Sequence, residues 1–163
     1  MSFDDYNPLK KTPVRIARSE DVPEDFCAPA RESNGAGAYD LRAFIPNGEK
    51  AYVYPRCSKV FRTGFRWSIP EGMLGVANIR SSLGFKHNIR LANALGFIDH
   101  DFRGEVLLAL YNDSQEPYVI EHGERVGQMA IVSCHMAGLE EVPLDRMDQT
   151  VRGDGGFGHT GKM

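Results

Sequence analysis

Polar and apolar residues alternate in short runs along most of this chain. Phe65, Trp67 and Ile69 interleave with Arg66 and Ser68, the period of a strand with one buried face. Comparable runs, each bounded by Gly, Pro, Asn or Asp, predict strands at Val14–Ala17, Ala38–Ala43, Ala51–Tyr54, Lys59–Arg62, Phe65–Ile69, Met73–Ile79, Glu105–Asn112, Pro117–Ile120 and Val126–Ser133. Val106 to Leu110 is apolar at every position, the texture of a strand covered on both sides. Pro46-Asn47-Gly48 and Pro70-Glu71-Gly72 read as turns, because proline fixes φ and glycine accepts positive φ. Helical periodicity is absent except for one turn expected at Ser81–Lys86. Many short strands with glycine and proline turns predict an all-β fold, a distorted jelly roll or β-sandwich. Residues 1 to about 13 read as a loose lead-in, 1–150 as a single domain, and 151–163 as a glycine-rich arm.

Composition narrows the function classes. The 163 residues fit one domain, and 42% hydrophobic content is ordinary for a folded protein. A net charge of −3 argues against a protein that coats nucleic acid, and no direct nucleic-acid binding is expected. It leaves room for an anionic small ligand, since a few local arginines bind phosphate whatever the total charge. Three cysteines without a CxxC pair suggest free, buried thiols in a reducing compartment. No zinc-deaminase signature, signal peptide or membrane-length apolar run is present, so the expected location is the cytoplasm.

Four segments could carry chemistry. In Ile98-Asp99-His100-Asp101-Phe102-Arg103-Gly104, two carboxylates one residue apart precede a strongly apolar strand. This reads either as a solvated turn with Asp101 paired to Arg103, or as a site in which Asp99 accepts a proton from an attacking water. Arg80-Ser81-Ser82 offers a guanidinium fork, hydroxyls and helix-start amides suited to phosphate oxygens, or merely a surface arginine and a capping serine. Arg152–Gly161 is either a disordered end or a segment whose glycines let its backbone close on a ligand. In the second reading Arg152 balances phosphate charge and Phe157 stacks on a base. No phosphate-binding GxxxxGK[ST] loop exists in the chain. Gly123 to Gln128 alone says only turn, then strand, with Gln128 an ordinary polar residue at a sheet edge.

The order and spacing of these segments are more telling than any one of them. Five motifs follow one another: Gly35–Leu41; Arg80-Ser81-Ser82-Leu83-Gly84 through Lys86-His87; Asn93–Gly104; Gly123–Gln128; and Arg152–Gly161. In that order they closely resemble the dUTPase family from about residue 14 to the end.

The resemblance implies a homotrimer that hydrolyses dUTP to dUMP and pyrophosphate with Mg²⁺, limiting uracil in DNA and supplying dUMP for thymidylate synthesis. Each site would draw on all three chains. By position, Asp99 matches the residue that activates water for in-line attack on the α-phosphorus, and Asp40 matches the aspartate that holds a metal-bound water. Arg80, Ser81, Ser82 and Gln128 match phosphate-side contacts. A hairpin over about Asn93 to Asp99, including Gly96 and Ile98, would select uracil through backbone hydrogen bonds and a narrow pocket. Phe157 would cover the base and Arg152 reach the γ-phosphate, with Gly158, His159 and Thr160 as further contacts of the arm. Phe102 stands where the family usually has tyrosine under the deoxyribose, at the cost of about 1 kcal/mol if that hydroxyl makes a bond. His100 occupies a position usually held by a small residue and is expected to face solvent. Glu124 replaces a more common aspartate, a change expected to be silent. Competing readings are a dCTP deaminase or dCTP-accepting hydrolase of the same fold, a binding or regulatory module with vestigial catalysis, and a structural jelly-roll subunit.

Overall fold

The computed structural model describes residues 13–156. Ten strands and one helix follow in order: β1 (Arg15–Arg18), β2 (Ala38–Arg42), β3 (Lys50–Val53), β4 (Ser58–Ser68), β5 (Met73–Ile79), α1 (Ser81–His87), β6 (Ile89–Leu91), β7 (Gly96–Ile98), β8 (Glu105–Asn112), β9 (Tyr118–Glu121) and β10 (Arg125–Ser133). They form two four-stranded antiparallel sheets, ordered β1-β4-β8-β6 and β2-β10-β5-β7, and a β3-β9 ribbon. Among the described residues, no helix is long and apolar enough to cross a membrane.

The inward faces of both sheets and the ribbon share one core. Trp67, Leu108, Leu110 and Ile89 come from the first sheet, Leu41, Ala77 and Met129 from the second, and Val53 and Ile120 from the ribbon. Each fully buried aliphatic side chain contributes about 1.5–3 kcal/mol relative to exposure. Asn112 lies within this core with its amide satisfied. Its Nδ2 donates to the Val53 and Glu116 carbonyls at 2.8 Å each, and its Oδ1 accepts the Ser114 amide at 2.8 Å. The first of those bonds ties the end of β8 to β3, and the other two hold the loop that leads to β9.

The two strands expected at 59–62 and 65–69 are one strand of 11 residues, β4. An irregularity between Arg62 and Arg66 explains the break in the pattern. At its centre Gly64 takes φ +78, and a Cβ there would lie 3.2 Å from Val22. The irregularity also anchors the loop after β1. Arg62 Nη2 binds Asp21 and Glu105, both at 2.7 Å, while Ser19 Oγ and the Gly64 amide donate to Glu105 at 2.8 and 2.7 Å. Burial pushes the Glu105 carboxyl up, but the bonds from Arg62, Ser19 and Gly64 outweigh it and hold the group below its ordinary 4.5.

Several expectations are corrected. β8 is not covered on both sides: Val106 and Leu108 are buried, but Leu107 is 52% exposed beside Val60 at 59%. Pattern alone reads an apolar residue as buried, whereas on the outer face of β8 Leu107 is exposed and Ala109 only half-buried. Cys27 and Cys57 are free but exposed, and Cys134 is half-buried, because each falls in a loop or at a strand end. Strands β6 and β7 are additional, three residues each, too short to show a period.

Candidate active site

Asp40 lies in the middle of β2, paired with Gln128 on β10, which pairs in turn with Asn78 on β5. Opposed residues in an antiparallel ladder share a face, so the three form a row across the sheet. Gln128 is therefore on an interior strand rather than at the expected edge. Its strand carries a bulge, with Arg125 paired to Arg42 but Gly127 paired to Leu41. The extra residue shifts the phase of the strand. Val126 and Gly127 both turn inward, and Arg125 comes out on the same side as Gln128. Gly127 is required for close packing, since a Cβ there would lie 2.5 Å from Leu108 Cδ1 and 3.1 Å from the Asn78 carbonyl oxygen.

Around this row is a cleft of about 590 Å³ whose polar lining is Glu32, Asp40, Arg80, Ser81, Arg125 and Gln128. Arg80 directly precedes α1, whose carboxyl end is closed by Asn88 at φ 54 with Lys86 and His87 in its last turn. Arg80 Nε lies 3.5 Å and Arg125 Nη1 3.3 Å from Asp40 Oδ2, and Arg125 Nη1 also meets Glu32 at 2.7 Å. Asp40 is 13% exposed in its side chain, and Oδ2 is buried without a hydrogen-bond partner. It is ion-paired with both guanidiniums but receives a hydrogen bond from neither. A second concavity, of about 540 Å³ beside β3 and β9, presents no such oxygen; its Lys50 and Glu121 are paired at 2.8 Å.

The residues around Asp99 form a separate group. Asp99 is exposed, with neither a hydrogen bond nor an ion pair on its side chain among the described residues. The backbone turns tightly here, Phe102 N–H donating to the Asp99 carbonyl at 3.2 Å. Arg103 does not pair with Asp101; its Nη1 donates to the His100 and Phe102 carbonyls at 2.6 and 2.9 Å. His100 is half-buried rather than open to solvent. The Phe102 ring lies over Gly104, where a Cβ would come within 2.4 Å of it. Asn93, Gly96 and Ile98 line a smaller hollow of about 210 Å³ together with Val60 and Leu107. The expected hairpin is a crossover: β6 belongs to the first sheet and β7 to the second, joined by a turn with Ala94 at φ 63.

These two groups do not meet within one chain. Three strand spacings separate β2 from β7, and Ile98 sits opposite Gly75, three residues along β5 from the Asn78 row. With about 4.8 Å per spacing and 3.3 Å per residue, the gap is roughly 17 Å. Ser82 is half-buried in α1. Arg152 is exposed, its Nε donating to the Gly155 carbonyl at 2.7 Å within its own turn. Phe157, Gly158, His159 and Thr160 lie outside the described residues. Sequence reasoning did not single out Glu32 or Arg125. No local signal marks Glu32, and Arg125 is brought in by the bulge.

A family model described as dUTPase matches residues 24–161. The chain is 40% identical over 148 residues to the deoxyuridine 5'-triphosphate nucleotidohydrolase of Rhizobium etli, covering 91% of each chain. To the protein of that name from Syntrophotalea carbinolica it is 41% identical, covering 82% of this chain and 88% of the other. Among solved structures it is similar to a mutant dUTPase of Staphylococcus bacteriophage 80alpha with dUpNHpp, at TM-score 0.72 and 21% identity, over 91% of this chain and 98% of that one. A mutant dUTPase from phage phi11 of S. aureus, described with a structural Mg(II) ion, gives TM-score 0.68 at 20% identity over 80% of this chain and 97% of that one. At these identities the structural likeness bears on the fold alone.

Proposed function

This chain belongs to the dUTPase family, and on that footing we propose how it hydrolyses dUTP: the Asp40–Arg80–Arg125 cleft of one protomer holds the triphosphate while Asp99 of a neighbour activates the attacking water. The protein is a dUTP diphosphatase. The observation that carries the proposed route is Oδ2 of Asp40, buried between two arginines without a hydrogen bond, in a cleft that also holds Ser81 and Gln128.

No group of three or more His, Cys, Asp or Glu able to hold a metal exists among the described residues. A single carboxylate with one oxygen free of hydrogen bonds suits a hard cation held mainly by phosphate and water, which is how Mg²⁺ binds in nucleotide sites. Asp40 would touch it through a water. Bound there, Mg²⁺ would supply neutralising charge to the triphosphate. Arg80, Ser81, Ser82 and Gln128 would bind phosphate oxygens, the arginine as a charge-assisted fork.

Asp99 accepts the water's proton as its oxygen bonds to the α-phosphorus and the α–β bridging bond breaks, giving dUMP and pyrophosphate. Its exposure and lack of a partner suit a base completed only on assembly. The gap between the two groups of residues supports a trimer in which each site combines halves of different chains. The bare apolar pair Val60 and Leu107 supports burial against another copy. Asn93, Gly96 and Ile98 would present backbone groups to uracil, and Phe102 would lie against the sugar. The arm, from Arg152 through Phe157, Gly158, His159 and Thr160, would close over the nucleotide, leaving dUMP available for thymidylate synthesis.

The test is pyrophosphate release from each deoxynucleoside triphosphate with Mg²⁺, for the wild type and Asp99→Asn. Release from dUTP alone is expected, and Asp99→Asn should lower turnover by roughly 10²–10⁴-fold while binding persists. Deamination of dCTP, or wild-type turnover in the variant, would overturn the reading.

A further inference from the structure

The geometry points to Arg103 as a positioning residue that acts through Asp99 by clamping the turn on which Asp99 sits. The inference rests on the reading of Asp99 as the base.

Asp99 has no side-chain partner among the described residues, so only the backbone fixes where its carboxylate stands. That backbone is held at successive points. The Phe102 amide closes the turn onto the Asp99 carbonyl at 3.2 Å. Arg103 Nη1 reaches back across it to the His100 and Phe102 carbonyls at 2.6 and 2.9 Å. Arg66, on β4, donates to the Arg103 carbonyl at 3.1 Å and so ties the exit of the turn to the first sheet. The Phe102 ring lies across Gly104, occupying the space a side chain there would need.

An arginine in a solvent-facing turn would ordinarily pair with a neighbouring carboxylate, and Asp101 is two residues away. Here the guanidinium has no carboxylate partner among the described residues and is committed to carbonyls of its own turn. Two bonds from one nitrogen to carbonyls two residues apart fix their relative orientation. The peptide planes between Asp99 and Arg103 are thereby fixed as well. In-line attack tolerates little displacement, and about 1 Å of misplacement can cost 10²-fold in rate. Loosening the clamp should lower the rate of the chemical step and leave nucleotide binding intact, because Arg103 is not itself among the groups facing the substrate.

The test uses the full-length protein with dUTP and Mg²⁺. Arg103→Met keeps the apolar stem and removes the donors. Its kcat should fall by roughly 10-fold or more, with KM and the Kd for the unhydrolysed analogue dUpNHpp changing by less than about threefold. Arg103→Lys, which restores a donor able to reach a carbonyl, should recover most of the loss. In the Asp99→Asn background, Arg103→Met should have no further effect, since a residue acting through the base has nothing left to position. Wild-type kcat in Arg103→Met, a loss carried by KM, or an undiminished effect in the Asp99→Asn background would each overturn the proposal. If Arg103→Met does not fold, Arg66→Met releases the other end of the same turn and must show the same loss confined to kcat; a wild-type rate there overturns it. Asp99→Asn measured alone at wild-type rate would instead remove the base reading beneath it, a result visible without any Arg103 variant.

Discussion

Replacing Gly127 by alanine adds a methyl group on β10 facing Leu108 of β8. The new Cβ would sit 2.5 Å from Leu108 Cδ1, 3.7 Å from Leu108 Cδ2 and 3.1 Å from the Asn78 carbonyl oxygen. The carbonyl is backbone in the neighbouring strand and cannot move without disturbing the β5–β10 ladder. Leu108 is 2% exposed and surrounded by core, so its side chain cannot swing away freely. Overpacking of this kind costs about 1–3 kcal/mol. For a domain of this size each kcal/mol lowers Tm by roughly 2–4 °C, so Gly127→Ala should melt about 2–12 °C below wild type. Scanning calorimetry at one fixed protein concentration measures this. Leu108→Ala opens the space that the new methyl needs. The double variant should therefore lose less stability than the two single losses added together, by about 0.5–3 kcal/mol. A wild-type Tm for Gly127→Ala, or strict additivity with Leu108→Ala, would refute the packing argument.

Three further outcomes follow from the same structure. Gly104→Ala should push the Phe102 ring off its present position, because the added Cβ would lie 2.4 Å from it; discrimination between dUTP and UTP, measured as the ratio of kcat/KM values, should fall, and an unchanged ratio would separate the ring from sugar selection. Glu105 is held below its ordinary 4.5 in the folded protein, so its contribution to stability is present above that value and is lost as pH falls through the depressed folded value. Urea titrations from pH 6 down to pH 3 should show a shallower loss of stability in Glu105→Gln than in wild type, and parallel curves would contradict this. Truncation after Thr150 should cripple dUTP turnover without changing the circular dichroism of the domain; an undiminished rate would return the arm to an inert tail.

The strand pattern was legible where a run of apolar residues lies between clear turn signals. Met73–Ile79 and Glu105–Asn112 have the bounds that turn residues on either side predict. Legibility failed where tertiary structure changes the phase of the chain. The irregularity in β4 makes one strand look like two, and the bulge in β10 brings Arg125 onto a face that simple alternation denies it. Leu107 misled for a different reason: its apolar neighbours are the same whether a strand is covered by its own chain or by none. Of the site, Asp40, Arg80, Ser81 and Gln128 were named through the resemblance to dUTPases, and they line one cleft. Glu32 was invisible because its role depends on a loop folding back over β2, and no local spacing encodes that.

The Asp40 row and strand β7 stand at opposite edges of one four-stranded sheet. On the route proposed above, such a chain would lend its carboxylate to one neighbour and borrow another's. Damage is then shared rather than private: an assembly of chains lesioned at Asp99 with chains lesioned at Arg80 contains some centres with both contributions sound, although neither parent has any. A population with two kinds of defective subunit can therefore be more capable than either kind alone.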